Sequence, residues 1–97
     1  MPHRNVSIGT TAVKIFDRNM NYFFDVLVQN LSANNVYVGS DDKVSATNGT
    51  CLVPTTGSWS DDQLDDNLWL IADGAASDVR IRFQLKPKPE DYKQRQV

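Results

Sequence analysis

The side chains that most often carry catalysis are few and scattered in this chain of 97 residues. His3 is the only histidine, and Cys51 is the only cysteine. A nucleophile needs a positioned base within hydrogen-bond reach, and neither residue has an evident partner in the sequence. The five glycines are scattered, so there is no glycine-rich phosphate loop. We therefore expect a protein that is not an enzyme and that holds no cofactor and no metal ion.

Residues 60–67 concentrate four aspartates, and carboxylate oxygens are ligands that calcium prefers. The spacing departs from the EF-hand calcium loop, because there is no central glycine and no closing glutamate. We expect a solvent-exposed acidic loop whose aspartates shape turns, with a single helical turn beginning near Ser60 as the alternative. The sequence leaves open whether this loop binds calcium.

Charge and hydropathy argue against two classes of partner. The chain has 10 Lys and Arg residues against 12 Asp and Glu residues, a net charge of −2, whereas nucleic-acid binding needs a basic surface. No apolar run approaches the length of a signal peptide or a transmembrane segment. We therefore expect a protein that is made in a cytoplasm and that binds neither nucleic acid nor a membrane.

Hydrophobic residues alternate with polar ones along most of the chain. Val79, Ile81 and Phe83 alternate with Arg80 and Arg82, which is the pattern of a strand with one wet face. Residues 21–30 show the same period, but their second face is also partly apolar, which predicts a central strand. Clusters of turn-forming residues recur every 8–15 residues or so. The pattern predicts an all-β fold, a small β-sandwich or jelly-roll-like barrel of about seven or eight short antiparallel strands.

The last twelve residues differ from the rest. Residues 86–97 contain two prolines and six charged side chains, and Tyr92 is their only aromatic residue. Proline removes backbone donors and favours extended geometry. We predict a β-sandwich domain over residues 1–85 and an extended basic C-terminal arm over residues 86–97. The arm is either a frayed terminus or a segment that docks on a neighbour through Tyr92.

Several side chains are candidates for an interaction surface. In residues 68–72, alternation places Trp69 and Ile71 on one side and three further apolar residues on the other, so one side faces the core and we expect the other to face a partner. Tryptophan and tyrosine are also enriched at binding hot spots. The candidates are Tyr37, Trp59, Trp69, Ile71, Arg80, Arg82 and Tyr92.

The order of short motifs over about residues 6–83 resembles a family of small virion proteins of tailed bacteriophages. In chain order the motifs are Gly9-Thr10-Thr11-Ala12, Val28-Gln29-Asn30, Val36-Tyr37-Val38-Gly39, a segment from Val44 to Leu52, Leu68-Trp69-Leu70-Ile71-Ala72, and Ser77-Asp78-Val79-Arg80-Ile81. The chain departs from the family pattern in its acidic stretch and in its C-terminal arm. No single motif is specific, and the resemblance depends on the ordered set.

The resemblance implies a capsid decoration, or cement, protein. Such proteins bind the outer surface of the major capsid protein lattice, reinforce its joints and often form homotrimers, so the implied location is the surface of the virion. Two alternatives remain at this stage. One is a tail, collar or head-fibre component of the virion. The other is a small carbohydrate-binding module in which Trp59, Trp69 and Tyr37 stack on sugar rings.

Overall fold

Two four-stranded antiparallel sheets make up the part of the chain that the structure, a computed structural model, describes, residues 3–90. The strands are β1 (His3–Ile8), β2 (Val13–Phe16), β3 (Tyr22–Asn30), β4 (Val36–Gly39), β5 (Thr50–Leu52), β6 (Ser58–Leu64), β7 (Leu68–Ala72) and β8 (Ser77–Pro87). The strand orders are β1-β8-β3-β6 and β2-β7-β4-β5. The prediction of an all-β protein built as a small sandwich is confirmed. Over the same residues, no helix has the length and hydropathy needed to cross a membrane.

The core lies between the two sheets and is filled by every second residue of the strands. Val28, Val79 and Ile81 of the first sheet and Val36 and Leu70 of the second are all 0% exposed. Strand β3 pairs with β6 on one side and β8 on the other, as expected of a central strand. Burial of these side chains is the main source of stability in a domain without disulfides.

A buried asparagine joins three chain segments at one end of the sandwich. The Asn30 side-chain nitrogen donates to the backbone oxygens of Asn34, Leu52 and Val53 at 2.7, 2.9 and 3.1 Å. Its side-chain oxygen accepts from the backbone nitrogen and the hydroxyl of Ser32, at 3.0 and 2.7 Å. Asn30 is 0% exposed, so these bonds replace all contact with water. This network gives a physical reason for an asparagine at the end of β3.

The C-terminal part of β8 is fastened to the opposite end of the sandwich. The strand continues two residues beyond the predicted domain boundary at Leu85. The next side chain, Lys88, is 0% exposed, and its ammonium group lies 2.6 Å from the Asp65 carboxylate and 2.7 Å from the backbone oxygen of Asn19. The first residues of the predicted arm therefore belong to the sandwich. Residues 91–97, the rest of the arm, lie outside the described part of the chain.

The predicted acidic loop is in large part an edge strand, and this corrects the expectation of a loop or a helical turn. Strand β6 pairs Asp61 with Val26 and Leu64 with Phe24, so two residues of β6 lie opposite one residue of β3 and form a bulge with one extra residue. The Asp61 carboxylate accepts from the backbone nitrogen of Gln63 at 2.9 Å inside the bulge. Charged side chains are tolerated on an edge strand because one side of the strand stays in water. Among residues 3–90, no three His, Cys, Asp or Glu side chains are grouped so that they could hold a metal ion.

Candidate functional site

The outer surface of the sheet β2-β7-β4-β5 carries a row of large apolar side chains, which we call the aromatic face. It consists of Tyr37 on β4 and Trp69 and Ile71 on β7, all half-buried. The register places Tyr37 directly beside Ile71. Along β7 burial alternates residue by residue, so Trp69 and Ile71 point away from the core that Leu70 fills. The two-sided character predicted for this strand is observed.

Charged and polar side chains of the neighbouring strands lie beside the rings of the aromatic face. Lys14 on β2 lies opposite Trp69, and its ammonium group is 5.9 Å from the centroid of the Trp69 ring. This is within the range of a cation–π contact. Cys51 on β5 lies opposite Tyr37. Desolvation raises the pKa of the Tyr37 phenol, and the nearby Cys51 thiol and Asp73 carboxylate raise this pKa further.

The connection between β4 and β5 covers one end of the aromatic face. Val44 is buried although it lies outside the main core. A Cβ atom at Gly39 would lie 2.6 Å from Val44 Cγ2, and one at Gly49 would lie 2.9 Å from the Cβ of Tyr37. Because neither glycine has a side chain, Val44 can settle against the sheet beside Tyr37. The glycines therefore allow the loop to shape this end of the face.

Arg80 and Arg82 lie on the other broad side of the molecule. They project from β8 on the outer surface of the sheet β1-β8-β3-β6, where Arg80 is opposite Gln29 and Arg82 is opposite Leu27. Both arginines are exposed, and within residues 3–90 neither forms an ion pair. The predicted candidates are thus split between two opposite surfaces, with the aromatic side chains on one and the arginines on the other.

Trp59 lies apart from both surfaces. It pairs with Val28 on β3, is half-buried and packs against the core from the edge of the first sheet. It lines a cleft of about 260 Å³ between the two sheets. Trp59 does not share a surface with Trp69 and Tyr37, so the three rings do not form a single platform. The remaining candidate, Tyr92, lies outside the described residues.

An apolar patch that the sequence did not reveal lies where the longer sheet extends beyond the shorter one. Tyr22 and Leu85 fall on the inner side of their strands but are 39% and 46% exposed, and nearby Met20 is 55% exposed. Strands β3 and β8 have 9 and 11 residues, whereas β2 and β7 have 4 and 5. The facing sheet is therefore too short to cover this end. Alternation predicted the side of each residue but not the length of the sheet opposite.

Comparison with protein-family models, with curated proteins and with solved structures finds no significant match. The surfaces described above, together with the motif order in the sequence, are therefore the basis for a functional proposal.

Proposed function

We propose that the chain is a structural protein of a bacteriophage virion, a capsid decoration protein that binds the outside of the major capsid lattice and stabilises it. The observation that carries this proposal is the aromatic face. Tyr37, Trp69 and Ile71 are only half-buried by the protein itself, on a strand whose other side already fills the core. Aromatic side chains of this kind anchor protein interfaces. The motif order resembles that of phage virion proteins and therefore favours the major capsid protein as the partner of this face.

The shape of the molecule suits a surface layer. Its principal extents are 43, 28 and 16 Å, so it is a flat plate whose broad sides are the outer surfaces of the two sheets. Docking through the aromatic face would remove apolar side chains from water at about 25 cal/mol for each Å² buried. Repetition over a capsid adds avidity when several copies are joined, because each bound copy holds its neighbours near their sites. A homotrimer is the assembly we favour.

The docking face is tested by adding purified protein to virus particles assembled without it and measuring co-sedimentation. Ile71→Asp places a charge in the middle of the aromatic face, so we expect it to lose binding while keeping a cooperative melting transition. Arg80→Glu is the matched control on the opposite sheet, and we expect it to bind like the unmodified protein. If Arg80→Glu loses binding and Ile71→Asp keeps it, the docking surface lies on the sheet β1-β8-β3-β6 instead.

The stabilising role is tested separately, by heating particles with and without the protein and following release of DNA. We expect particles without it to release DNA at a lower temperature, because a bound ligand stabilises the state to which it binds. Equal heat resistance would contradict the cement role.

The copy number in purified particles distinguishes a location on the shell from one in the tail or collar. A shell protein is present in hundreds of copies, whereas a tail or collar protein is present in six or twelve. Sedimentation analysis of the free protein tests the trimer.

A further inference from the structure

We propose that the cleft beside Trp59 is a saccharide-binding site with room for one sugar ring. The cleft opens between the edge strand β6 and the strands β4 and β5 of the other sheet. Its lining is part apolar and part polar. The apolar residues are Val38, Trp59, Leu64 and Leu68, and the polar ones are Ser40, Thr50, Asp66 and Asn67.

The polar groups of this cleft keep part of their hydrogen-bonding capacity. One carboxylate oxygen of Asp66 accepts from the backbone nitrogen of Asn67 at 2.7 Å, which leaves the second oxygen for a ligand. The side-chain oxygen of Asn67 accepts from the backbone nitrogen of Arg18 at 2.7 Å, which leaves the amide NH₂ group as a donor. Within residues 3–90, no hydrogen bond uses the indole nitrogen of Trp59. An acceptor and two donors are therefore available around one half-buried ring.

This combination fits a saccharide better than the other common classes of small ligand. A sugar ring has an apolar face of C–H groups, which packs on the electron-rich face of an aromatic ring, and a rim of hydroxyls that both donate and accept. No Lys, Arg or His lines the cleft, and Asp66 makes its rim acidic, which disfavours phosphates and other anions. A volume of about 260 Å³ is below the range of about 300–1,000 Å³ typical of drug-sized ligands, so we expect one ring to enter.

The cleft and the aromatic face are separate surfaces, so the two proposals can fail independently. The aromatic face is the outer side of β4 and β7, whereas the cleft opens along the β5 and β6 side of the sandwich. A copy docked through Ile71 and Trp69 would leave Trp59 accessible to a saccharide.

The experiment is an NMR titration of the free full-length protein, which does not require virus particles. The probes are glucose, galactose, mannose, N-acetylglucosamine and glucuronate, each raised to about 20 mM, which nearly saturates a site with a Kd of about 1 mM. The two tryptophan indole signals are assigned with Trp59→Phe and Trp69→Phe. We expect at least one neutral sugar to shift the Trp59 signal in a saturable way. The Trp69 signal is the internal control and stays in place.

Variants connect the signal to the cleft. Asp66→Ala removes an exposed carboxylate, so the domain remains folded, and we expect the affinity for the bound sugar to fall at least tenfold. Asp62→Ala, on a neighbouring exposed aspartate that does not line the cleft, is the matched control and binds normally. The proposal is overturned if no sugar of the panel shifts the Trp59 signal, if only glucuronate does, or if Asp66→Ala binds as tightly as the unmodified protein.

Discussion

At the scale of single residues, Asn30 has the largest predicted effect on folding. Asn30→Ala removes the donated bonds to the backbone oxygens of Asn34, Leu52 and Val53, of which the Val53 oxygen still accepts from the backbone nitrogen of Gly57 at 3.1 Å. Each buried polar group left without a partner costs about 1–3 kcal/mol, so we expect a loss of about 3 kcal/mol in the free energy of unfolding. Urea denaturation measures it. Gln29→Ala, an exposed neighbour on the same strand, is expected to change stability by less than about 0.5 kcal/mol. Equal effects of the two substitutions would contradict this role.

Two lysines at the end of β8 and just after it form ion pairs that differ in burial, and their substitution compares a buried pair with an exposed one. Lys88 is 0% exposed and its partner Asp65 is 17% exposed, whereas Lys86 and its partner Asp25 are 42% and 30% exposed. Breaking a fully buried pair costs about 3–5 kcal/mol. Since Arg18 also bonds Asp65, we expect Lys88→Met to cost about 2 kcal/mol. Lys86→Met is expected to cost less than about 1 kcal/mol. Chemical denaturation of both variants checks the difference, and equal costs would contradict it.

The phenol of Tyr37 is expected to titrate above its ordinary pKa of 10.0, because desolvation and the neighbouring Cys51 and Asp73 disfavour the phenolate. A raised pKa means that the folded state holds the proton more tightly. The resulting contribution to stability is complete below pH 10 and is lost as the pH rises through the folded-state pKa. Ultraviolet titration of the unmodified protein against Tyr37→Phe isolates this group. Cys51→Ser removes one cause and is expected to move the pKa back towards 10. Ionisation of Tyr37 at or below 10 would contradict the assignment.

At the scale of elements, alternation predicts the side on which a residue lies better than it predicts whether a segment is a strand. The period of two placed Trp69 and Ile71 opposite the core, and both faces of β3 were recognised as partly apolar. The sequence predicts a loop in place of β6 because Asp61 and Asp62 are typical of turns. These charged residues are tolerated within β6 because β6 lies at the edge of its sheet. Position in a sheet depends on which strands pair, which a single sequence does not show.

The connection between β4 and β5 gives a prediction at this scale. Gly39→Ala places a Cβ about 2.6 Å from Val44 Cγ2, so the loop that covers one end of the aromatic face must move. We expect a cost of about 1–3 kcal/mol, because the neighbour is held against the sheet. Gly9→Ala is the matched control, since a Cβ there meets no atom within 4 Å. Thermal unfolding compares the two. A Gly39→Ala variant as stable as Gly9→Ala would show that the loop adapts without cost.

At the scale of the whole molecule, the candidate surfaces depend on strand pairing rather than on sequence spacing. The apolar side of β7 could be predicted from residues 68–72 alone. That Tyr37 lies beside Ile71, and that Trp59 belongs to a separate cleft, follows from the order β2-β7-β4-β5 and from the position of β6 in the other sheet. The arginines of β8 likewise fall on the opposite broad side. Sequence reasoning therefore found the side chains but not their grouping into surfaces.

The most direct test of the proposed docking through the aromatic face is cryo-electron microscopy of the virus particles to which the proposal assigns this chain. We expect density for this plate-shaped molecule on the outside of the shell, in hundreds of copies. We also expect the sheet β2-β7-β4-β5 to face the capsid, with Tyr37, Trp69 and Ile71 in the contact. Particles without this protein, or copies whose aromatic face points into solvent, would contradict the account.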